Sequence, residues 1–185
     1  MIRIGILGDI GSGKSYIAKN FGYPVFNADY EVSKLYKKDK KIFRKLKKKL
    51  PKHISSFPIN KNEITKAILS NKVNLKKIIN IVHLEIRKIL KLFLKKNRNK
   101  KIIILDIPLL LENKINNKDD VLVFVDSKNI EIEKRLKKRL NFNRKLINKF
   151  KKIQFSSAYK KRKSNFIIKN NFKKKSLNKS IKKIL

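Results

Sequence analysis

The sequence of 185 residues has no cysteine, no tryptophan and only two histidines, His53 and His83. A chain without cysteine can form neither disulfide bonds nor thiolate metal sites, and so few histidines argue against a histidine-based metal centre. No apolar run approaches the length of a membrane-spanning helix. The first one, residues 2–7, is short and leads directly into a glycine-rich loop, so we expect no signal peptide. These absences predict a protein of the reducing cytoplasm.

Acidic residues are also scarce, with 13 Asp and Glu against 51 Lys and Arg and a formal net charge of +38. Such a charge is typical of proteins that bind nucleic acid or another polyanion. The alternative is drift toward A/T-rich codons, because the basic residues are mostly lysine and are spread along the chain with much asparagine and isoleucine. We favour drift and expect no specific nucleic-acid partner. In either case the positive field would attract ATP and phosphorylated substrates.

Glycine occurs only five times, yet three of the five lie in the stretch GDIGSGKS at positions 8–15. This stretch matches the pattern G-x-x-x-x-G-K-[ST] and lies between a strand pattern and a helix pattern, as a P-loop does. Lys14 would reach the β- and γ-phosphates of ATP, and the Ser15 hydroxyl would bind Mg²⁺. The alternative is a glycine turn with a purely structural role. The predicted ATP-binding residues of this stretch are Gly8, Asp9, Ile10, Gly11, Ser12, Gly13, Lys14, Ser15 and Tyr16.

Asp9 places an acid at a free position of this motif. Contact between its carboxylate and a polyphosphate would be repulsive. We therefore expect the side chain to face outward or toward the phosphoryl acceptor, while the backbone N–H still faces the phosphates. An acid at this position does not argue against nucleotide binding.

Short apolar runs alternate with helical patterns along the chain. Strands are predicted at residues 2–7, 23–29, 100–106, 120–126 and 165–171. The alternation predicts an α/β fold with a parallel, doubly wound sheet. Between the strands we expect a basic helical stretch over residues 30–50, a helix over 75–96 and a polar helical stretch over 141–164. Binding sites in such sheets lie at the carboxyl ends of the strands, where the predictions place Gly8, Asp29, Asp106 and Asp126.

Two of these acids are candidates for chemistry. Asp29 can act as the general base that takes the proton of an acceptor hydroxyl, and its alternative role is a helix N-cap. Asp106 follows four apolar residues and resembles the acid that holds Mg²⁺ through water in P-loop proteins. Its alternative role is to cap a strand end.

Three basic side chains have both a functional and a structural interpretation. His83 lies among apolar residues of a helix, where a core or interface histidine is the plain alternative to a ligand-binding one. Arg135 and Arg139 are four residues apart, so on a continuous helix they share a face. Such arginines can close over a transferring phosphate as part of a lid. The alternative is a solvated helix face.

Several blocks together resemble the dephospho-CoA kinase family, in the family's order and over nearly the whole chain. The most specific is LDIPLLLE at 105–112, which is similar to a Pro-Leu-Leu-Phe-Glu segment. The glycine loop GDIGSGKS is similar to the family's opening, which resembles GGIGSGKS, and Asn27-Ala28-Asp29 matches its next block with the first acid lost. His83-Leu84-Glu85-Ile86, followed by Arg87, resembles a helical block of the family. The remaining matches are the pair Arg135 and Arg139 and, at the end, Gln154, Lys160 and SNFIIKNN.

The resemblance implies transfer of the γ-phosphoryl group of ATP, with Mg²⁺, to the 3′-hydroxyl of the ribose in dephospho-CoA. It implies a P-loop fold in one domain, 1–185. Its core would comprise about 1–29, 100–138 and 164–185, its helical CoA subdomain about 30–99 and its lid about 139–163.

The resemblance also implies residue roles. Asp29 would be the general base and Arg139 the lid arginine that acts with Lys14 in catalysis. The acceptor would be bound by Asp29, His83, Arg87, Pro108 and Leu109, and Asn170 would lie near the adenine. Departures at Ser164, Asn165 and Lys169 affect the adenine contacts, and Lys61-Asn62 stand where the family has an arginine.

Two other classes stay open on the residues alone. A P-loop kinase for a nucleoside or for shikimate would use Lys14, Ser15 and Arg139 in the same way, but it would not need the Pro-Leu-Leu-x-Glu block. A nucleic-acid-binding ATPase would agree with the charge. Such a protein usually has aromatic or arginine-rich platforms for base stacking, whereas here lysine dominates.

Overall fold

A computed structural model of the chain describes residues 1–140 and 142–185. Residue 141, at the start of the stretch predicted to be polar and helical, lies outside the described residues. The described chain forms two compact units, one of Met1–Asn27 with Asn97–Leu185 and the other of Ala28–Lys96. Its five strands and nine helices are, in chain order, β1 (Ile2–Gly8), α1 (Lys14–Asn20), β2 (Val25–Asn27), α2 (Ala28–Lys38), α3 (Lys40–Lys49), α4 (Lys61–Ser70), α5 (Lys72–Lys96), β3 (Ile102–Asp106), β4 (Val121–Asp126), α6 (Asn129–Lys137), α7 (Arg144–Lys151), α8 (Ser157–Arg162), β5 (Phe166–Lys169) and α9 (Lys174–Lys182).

The first unit contains a five-stranded sheet in the order β2-β3-β1-β4-β5, and every pairing is parallel. This confirms the predicted α/β class. Buried parallel strands have near-continuous apolar sequences, and the runs that form β1, β3 and β4 are of this kind. Register pairs Asn27 with Asp106 and Asp126 with Lys169, so the polar residues at the carboxyl ends of the strands lie at one edge.

Helices α1 and α9 pack on the sheet and close its core. Ile17 and Ala18 of α1 are fully buried, and Leu177 and Ile181 of α9 are nearly so. They form one apolar cluster with residues of four strands: Ile4, Ile6, Ile104, Val123, Val125 and Ile168. Burial of such side chains contributes about 1.5–3 kcal/mol each, which holds the loop between β1 and α1 on a rigid base.

The prediction of a strand over residues 23–29 is wrong at its end. The strand stops at Asn27, and Asp29 lies in the first turn of α2 rather than on the strand. Acids in the first turn of a helix interact favourably with its positive end, and Glu31 provides a second one. The Asp29 carboxylate is therefore presented by a helix N-terminus that directly follows a strand.

The stretch predicted to be helical over residues 30–50 forms two helices, α2 and α3. Asp39 separates them with an extended backbone (φ −97°, ψ 99°), and its side chain accepts hydrogen bonds from the backbone N–H groups of Lys41 and Ile42. An aspartate in this conformation is an N-cap. The lysine-rich helical pattern on both sides conceals this local break.

The second unit consists of helices α2 to α5. Along α5 the buried apolar residues recur every three or four positions, as on one face of a helix; they are Leu75, Ile78, Val82, Ile86 and Leu90. Among the described residues, no helix is both long and apolar enough to cross a membrane. The cytoplasmic location stays a prediction.

Candidate nucleotide-binding site

The loop between β1 and α1 has the backbone conformation that its glycines permit. Gly11 has φ 90° and Gly13 has φ 93°, in the left-handed region that side chains with a Cβ rarely adopt. Gly13 is the N-cap residue of α1, so the free N–H groups of the first helical turn begin directly after it. A helix N-terminus of this kind binds anions through these N–H groups and the helix dipole.

Two side chains from distant parts of the chain hold this loop by its Ser12 carbonyl oxygen. Asn170 Nδ2 donates to that oxygen at 2.8 Å, and Ser127 Oγ donates to it at 2.9 Å. Asn170 is buried, and its Oδ1 accepts a hydrogen bond from the backbone N–H of Phe172 at 2.9 Å. Both polar atoms of Asn170 thus contact the protein itself, and its place near the adenine stays a prediction. Ser127 is not among the residues predicted from the sequence, where its only signal is its position after β4.

Lys14 lies against the start of the same loop. Its Nζ donates hydrogen bonds to the carbonyl oxygens of Gly8 at 3.0 Å and Asp9 at 2.8 Å. These bonds keep the ammonium group over the loop that the motif assigns to phosphate. The first turn of α1, with Ser15, follows directly.

The Asp9 side chain points to α8. Its Oδ2 accepts a hydrogen bond from Ser157 Oγ at 2.6 Å, and its Oδ1 lies 3.6 Å from Lys160 Nζ. The carboxylate is therefore occupied by contacts with α8. Ser157 had no signal in the sequence, since 148 positions separate it from Asp9.

Asp106 ends β3 and is almost completely buried. Its Oδ2 accepts a hydrogen bond from Asn27 Nδ2 at 2.6 Å. Asn27 is one of the positions at which the sequence departs from the pattern of the family that it resembles. Its amide supplies a hydrogen-bond donor that an ionised carboxylate would lack. The two residues pair across β2 and β3 at the carboxyl edge of the sheet.

Pro108 and Leu109 follow β3 and line one small pocket together with Gly8, Lys14 and Lys160. Leu109 has φ 59°, which is uncommon for a residue with a branched side chain. Further along this block, Glu112 Oε1 accepts a hydrogen bond from the backbone N–H of Phe155 at 2.8 Å. The structure thus brings the Pro-Leu-Leu-x-Glu block to the loop that carries Lys14.

His83 and Arg87 lie one turn apart on α5, in the second unit. His83 is half-buried, and this burial, with a smaller effect of the charge on Arg87, lowers the pKa of the imidazole below its ordinary value. The imidazole is therefore neutral at pH 7 and can act as a hydrogen-bonding group, whereas Arg87 carries a permanent charge.

Arg135 and Arg139 do not share a helix face, so this prediction is wrong. Helix α6 ends at Lys137, and Arg139 lies in the turn that follows. The Arg135 guanidinium lies 4.3 Å from the ring centroid of Phe172, a cation–π contact. Both arginines are exposed. The lid role of Arg139 is untouched by this difference and stays a prediction.

Replacement of Gly13 by alanine is expected to damage the loop. The alanine would have to adopt a left-handed backbone conformation, which destabilises the folded protein by about 1–2 kcal/mol. Its Cβ would also lie 2.6 Å from Asn170 Nδ2. Asn170 is buried and bonded to the Ser12 carbonyl, so it cannot move without loss of that bond. We expect a lower free energy of unfolding in urea and a weaker affinity for ATP by calorimetry.

Gly22→Ala is the matched control for this variant. Gly22 also has positive φ (75°), but no atom lies within 4 Å of its Cβ position. The Gly22→Ala variant should therefore lose only the free energy of unfolding that the strained backbone takes away, and its affinity for ATP should be unchanged. Equal losses of ATP affinity in the two variants would contradict the role of the contact between Gly13 and Asn170.

The strand, the glycine loop, the helix N-terminus and the lysine over the loop define a P-loop protein. Two similar proteins narrow this class to one kind of kinase. The chain is 34% identical over 170 residues to a dephospho-CoA kinase of Wolbachia sp. subsp. Brugia malayi, which covers 89% of this chain and 87% of that protein. It is 33% identical over 189 residues to a dephospho-CoA kinase of Rickettsia felis, which covers 100% of this chain and 96% of that protein.

A solved structure and a family model agree with this class. A crystal structure of a Thermus thermophilus protein has the same fold, with a TM-score of 0.79 and 24% identity over 99% of this chain and 95% of that one. The model of the family described as dephospho-CoA kinase matches residues 2–176. The chain belongs to the dephospho-CoA kinase family.

Proposed function

We propose that this chain transfers the γ-phosphoryl group of ATP to the 3′-hydroxyl of the ribose of dephospho-CoA and releases coenzyme A and ADP. The observation that carries the proposal is the family match over residues 2–176. The loop after β1 agrees with it, because its left-handed glycines, its lysine and the N-terminus of α1 are the parts that bind the phosphates of ATP.

On the donor side, the backbone N–H groups of the loop and the first turn of α1 bind the phosphates of ATP. Lys14 reaches the β- and γ-phosphates from its position over Gly8 and Asp9. Arg139, beyond the end of α6, supplies a further positive charge when the lid segment closes over the transferring group. We assign residues 139–163 to this lid and residues 1–29, 100–138 and 164–185 to the core.

The transfer itself is an in-line displacement at phosphorus. The acceptor oxygen forms a bond to the γ-phosphorus while the bond from that phosphorus to the β–γ bridging oxygen breaks. Asp29 takes the proton of the acceptor hydroxyl, and ADP leaves with the electron pair of the broken bond. Lys14 and Arg139 keep their protons and stabilise the charge that spreads over the phosphoryl oxygens.

The donor set at the loop fits Mg²⁺. Ser15 offers a hydroxyl and Asp106 a carboxylate whose Oδ2 is oriented by Asn27, and Mg²⁺ prefers such oxygen ligands with one or two carboxylates plus substrate phosphates. No group of three or more His, Asp or Glu residues that could hold a metal occurs in the described part of the chain. Ser15 and, through water, Asp106 would hold the ion, which would supply positive charge against the β- and γ-phosphates.

On the acceptor side we assign the binding of dephospho-CoA to Asp29, His83, Arg87, Pro108 and Leu109. Pro108 and Leu109 shape the part of the pocket next to the loop. His83 contributes a neutral hydrogen-bonding group and Arg87 a charge for phosphate. The helical unit that carries these two residues is the proposed CoA subdomain, residues 30–99.

An ADP-release assay with ATP and Mg²⁺ tests this function. Dephospho-CoA, shikimate and a set of nucleosides are offered as acceptors side by side, and coenzyme A is identified as the product by its mass. We expect turnover with dephospho-CoA. Turnover with another acceptor and none with dephospho-CoA would overturn the proposal, and reactions without acceptor give the background of ATP hydrolysis.

A further inference from the structure

Two carboxylates hold the segment from Phe155 to α8 against the nucleotide loop and the Pro-Leu-Leu-x-Glu block. Asp9, in the loop itself, accepts a hydrogen bond from Ser157 Oγ at 2.6 Å. Glu112, in the Pro-Leu-Leu-x-Glu block, accepts one from the backbone N–H of Phe155 at 2.8 Å. Hydrogen bonds to a charged acceptor are stronger than those between neutral groups. The start of α8 is therefore fixed at two points, one of them within the P-loop.

This attachment places Lys160 of α8 beside the phosphate site. Lys160 is only 3% exposed, which is rare for a lysine. It lines the small pocket to which Lys14, Gly8, Pro108 and Leu109 also contribute. One pocket therefore contains the P-loop lysine, two of the residues assigned to the acceptor and a second, buried lysine that the mechanism above does not use.

The contacts of Lys160 Nζ are long for an ammonium group. The group lies 3.6 Å from Asp9 Oδ1 and 3.4 Å from Gln154 Oε1, whereas charge-assisted N–H···O bonds measure about 2.7–2.9 Å. Burial of a charge is unfavourable unless it is paired and hydrogen-bonded. Asp9 offsets part of this cost by its opposite charge, and the three N–H donors of the ammonium retain the capacity to bind an anionic oxygen.

We propose that Lys160 is a second phosphate-binding cation of the transfer reaction and that Asp9 is its positioning residue. Resting on the proposed function, this inference adds a role for two residues within the same site. The ammonium of Lys160 contacts the oxygens of the group that passes from ATP to the acceptor, next to Lys14. Because charge on these oxygens changes as the phosphoryl group moves, a cation fixed there stabilises the transition state more than bound ATP. Lys160 keeps its protons throughout, and the bonds formed and broken are those given above.

Asp9 acts on this lysine from outside the pocket. Its carboxylate attracts the ammonium directly and also accepts a hydrogen bond from Ser157 of the same helix. Asp9 therefore positions Lys160 both by its charge and by holding the start of α8. Its negative charge faces a lysine and a serine of α8.

The test compares four variants in the ADP-release assay. Lys160→Met should lower kcat by about 10²-fold or more while the KM for ATP changes little, because the lost contact belongs to the transition state. Lys160→Arg should recover most of kcat, since it restores the charge. Asp9→Asn should cause a smaller fall in kcat, because Gln154 still contacts the ammonium. Lys161→Met is the control, since Lys161 lies on the same helix and also pairs with an aspartate, Asp126, at 2.9 Å.

Thermal unfolding accompanies these assays. Methionine fills a similar volume without a buried charge. Asp9, left without its lysine, has a side chain that is 34% exposed and keeps the hydrogen bond from Ser157 Oγ, so its charge is not stranded in the interior. We therefore expect Lys160→Met to fold. A normal kcat in Lys160→Met, equal falls in Lys160→Met and Lys161→Met, or an arginine variant no better than the methionine one would each overturn the inference.

The acceptor panel separates this inference from the proposed function. If the wild-type chain uses another acceptor, the assignment to dephospho-CoA fails, and the same four variants measured with that acceptor decide the role of Lys160. Absence of turnover with every acceptor would overturn both.

Discussion

Asp29→Asn is expected to lower kcat by about 10²–10⁴-fold, the range for loss of a general base. The amide has the shape of the carboxylate but cannot take the proton of the acceptor hydroxyl. Asp29 lies in the first turn of α2, directly after β2 and near the positive end of the helix dipole. The affinity for ATP should stay normal, because the phosphates are bound by the loop after β1. Steady-state kinetics and calorimetry with ATP measure the two quantities.

Glu31→Gln is the control for this variant. Glu31 lies in the same helical turn and pairs with Lys34 at 3.1 Å, so its replacement removes a carboxylate of the same helix without a proposed role in proton transfer. We expect its kcat to be close to that of the wild type. A normal kcat in Asp29→Asn, or an equal loss in both variants, would remove Asp29 from the role of base.

Lys14→Ala is expected to lower kcat by about 10²–10³-fold, as for loss of one charged group that stabilises the transition state. The KM for ATP should rise as well, for a reason visible in the structure. Lys14 Nζ joins the carbonyl oxygens of Gly8 and Asp9, and these bonds hold the start of the loop. Loss of the side chain thus removes both a phosphate contact and a support of the loop. Kinetics at several ATP concentrations separate the two effects.

Lys19→Ala serves as its control, because Lys19 lies on the same helix and is exposed. Its removal changes the net charge by the same amount, so it also measures how far the general positive field contributes to ATP binding. An equal rise in KM in both variants would show that the field and not the position of Lys14 attracts ATP. A normal kcat in Lys14→Ala would contradict its catalytic role.

The sheet was predictable because its strands are short apolar runs. Residues 102–105 are four aliphatic side chains in succession, and burial on both faces of a parallel sheet requires such a run. Helix boundaries were less predictable. The break at Asp39 depends on a cap that is one residue long, and the end of α6 at Lys137 falls within a run of good helix formers without glycine or proline.

The nucleotide loop was predictable for a different reason. Its glycines, its lysine and its serine have fixed spacings, because one continuous stretch of backbone must surround a phosphate. The residues that support the loop are not local in this sense. Asn170 is 158 positions from the Ser12 carbonyl that it binds. Asn170 entered the site only through the family resemblance, and Ser127 did not enter it at all.

The sequence by itself determined the class of fold, the phosphate-binding loop and, through several ordered blocks, the family. Each follows from the spacing of residues that are close together in the chain or from a series of short motifs. Only the tertiary structure decided that the Asp9 carboxylate meets Ser157 and Lys160, and that Lys160 is buried beside Lys14. The partner of a side chain far away along the chain depends on how helices and strands pack, and no period or motif encodes it.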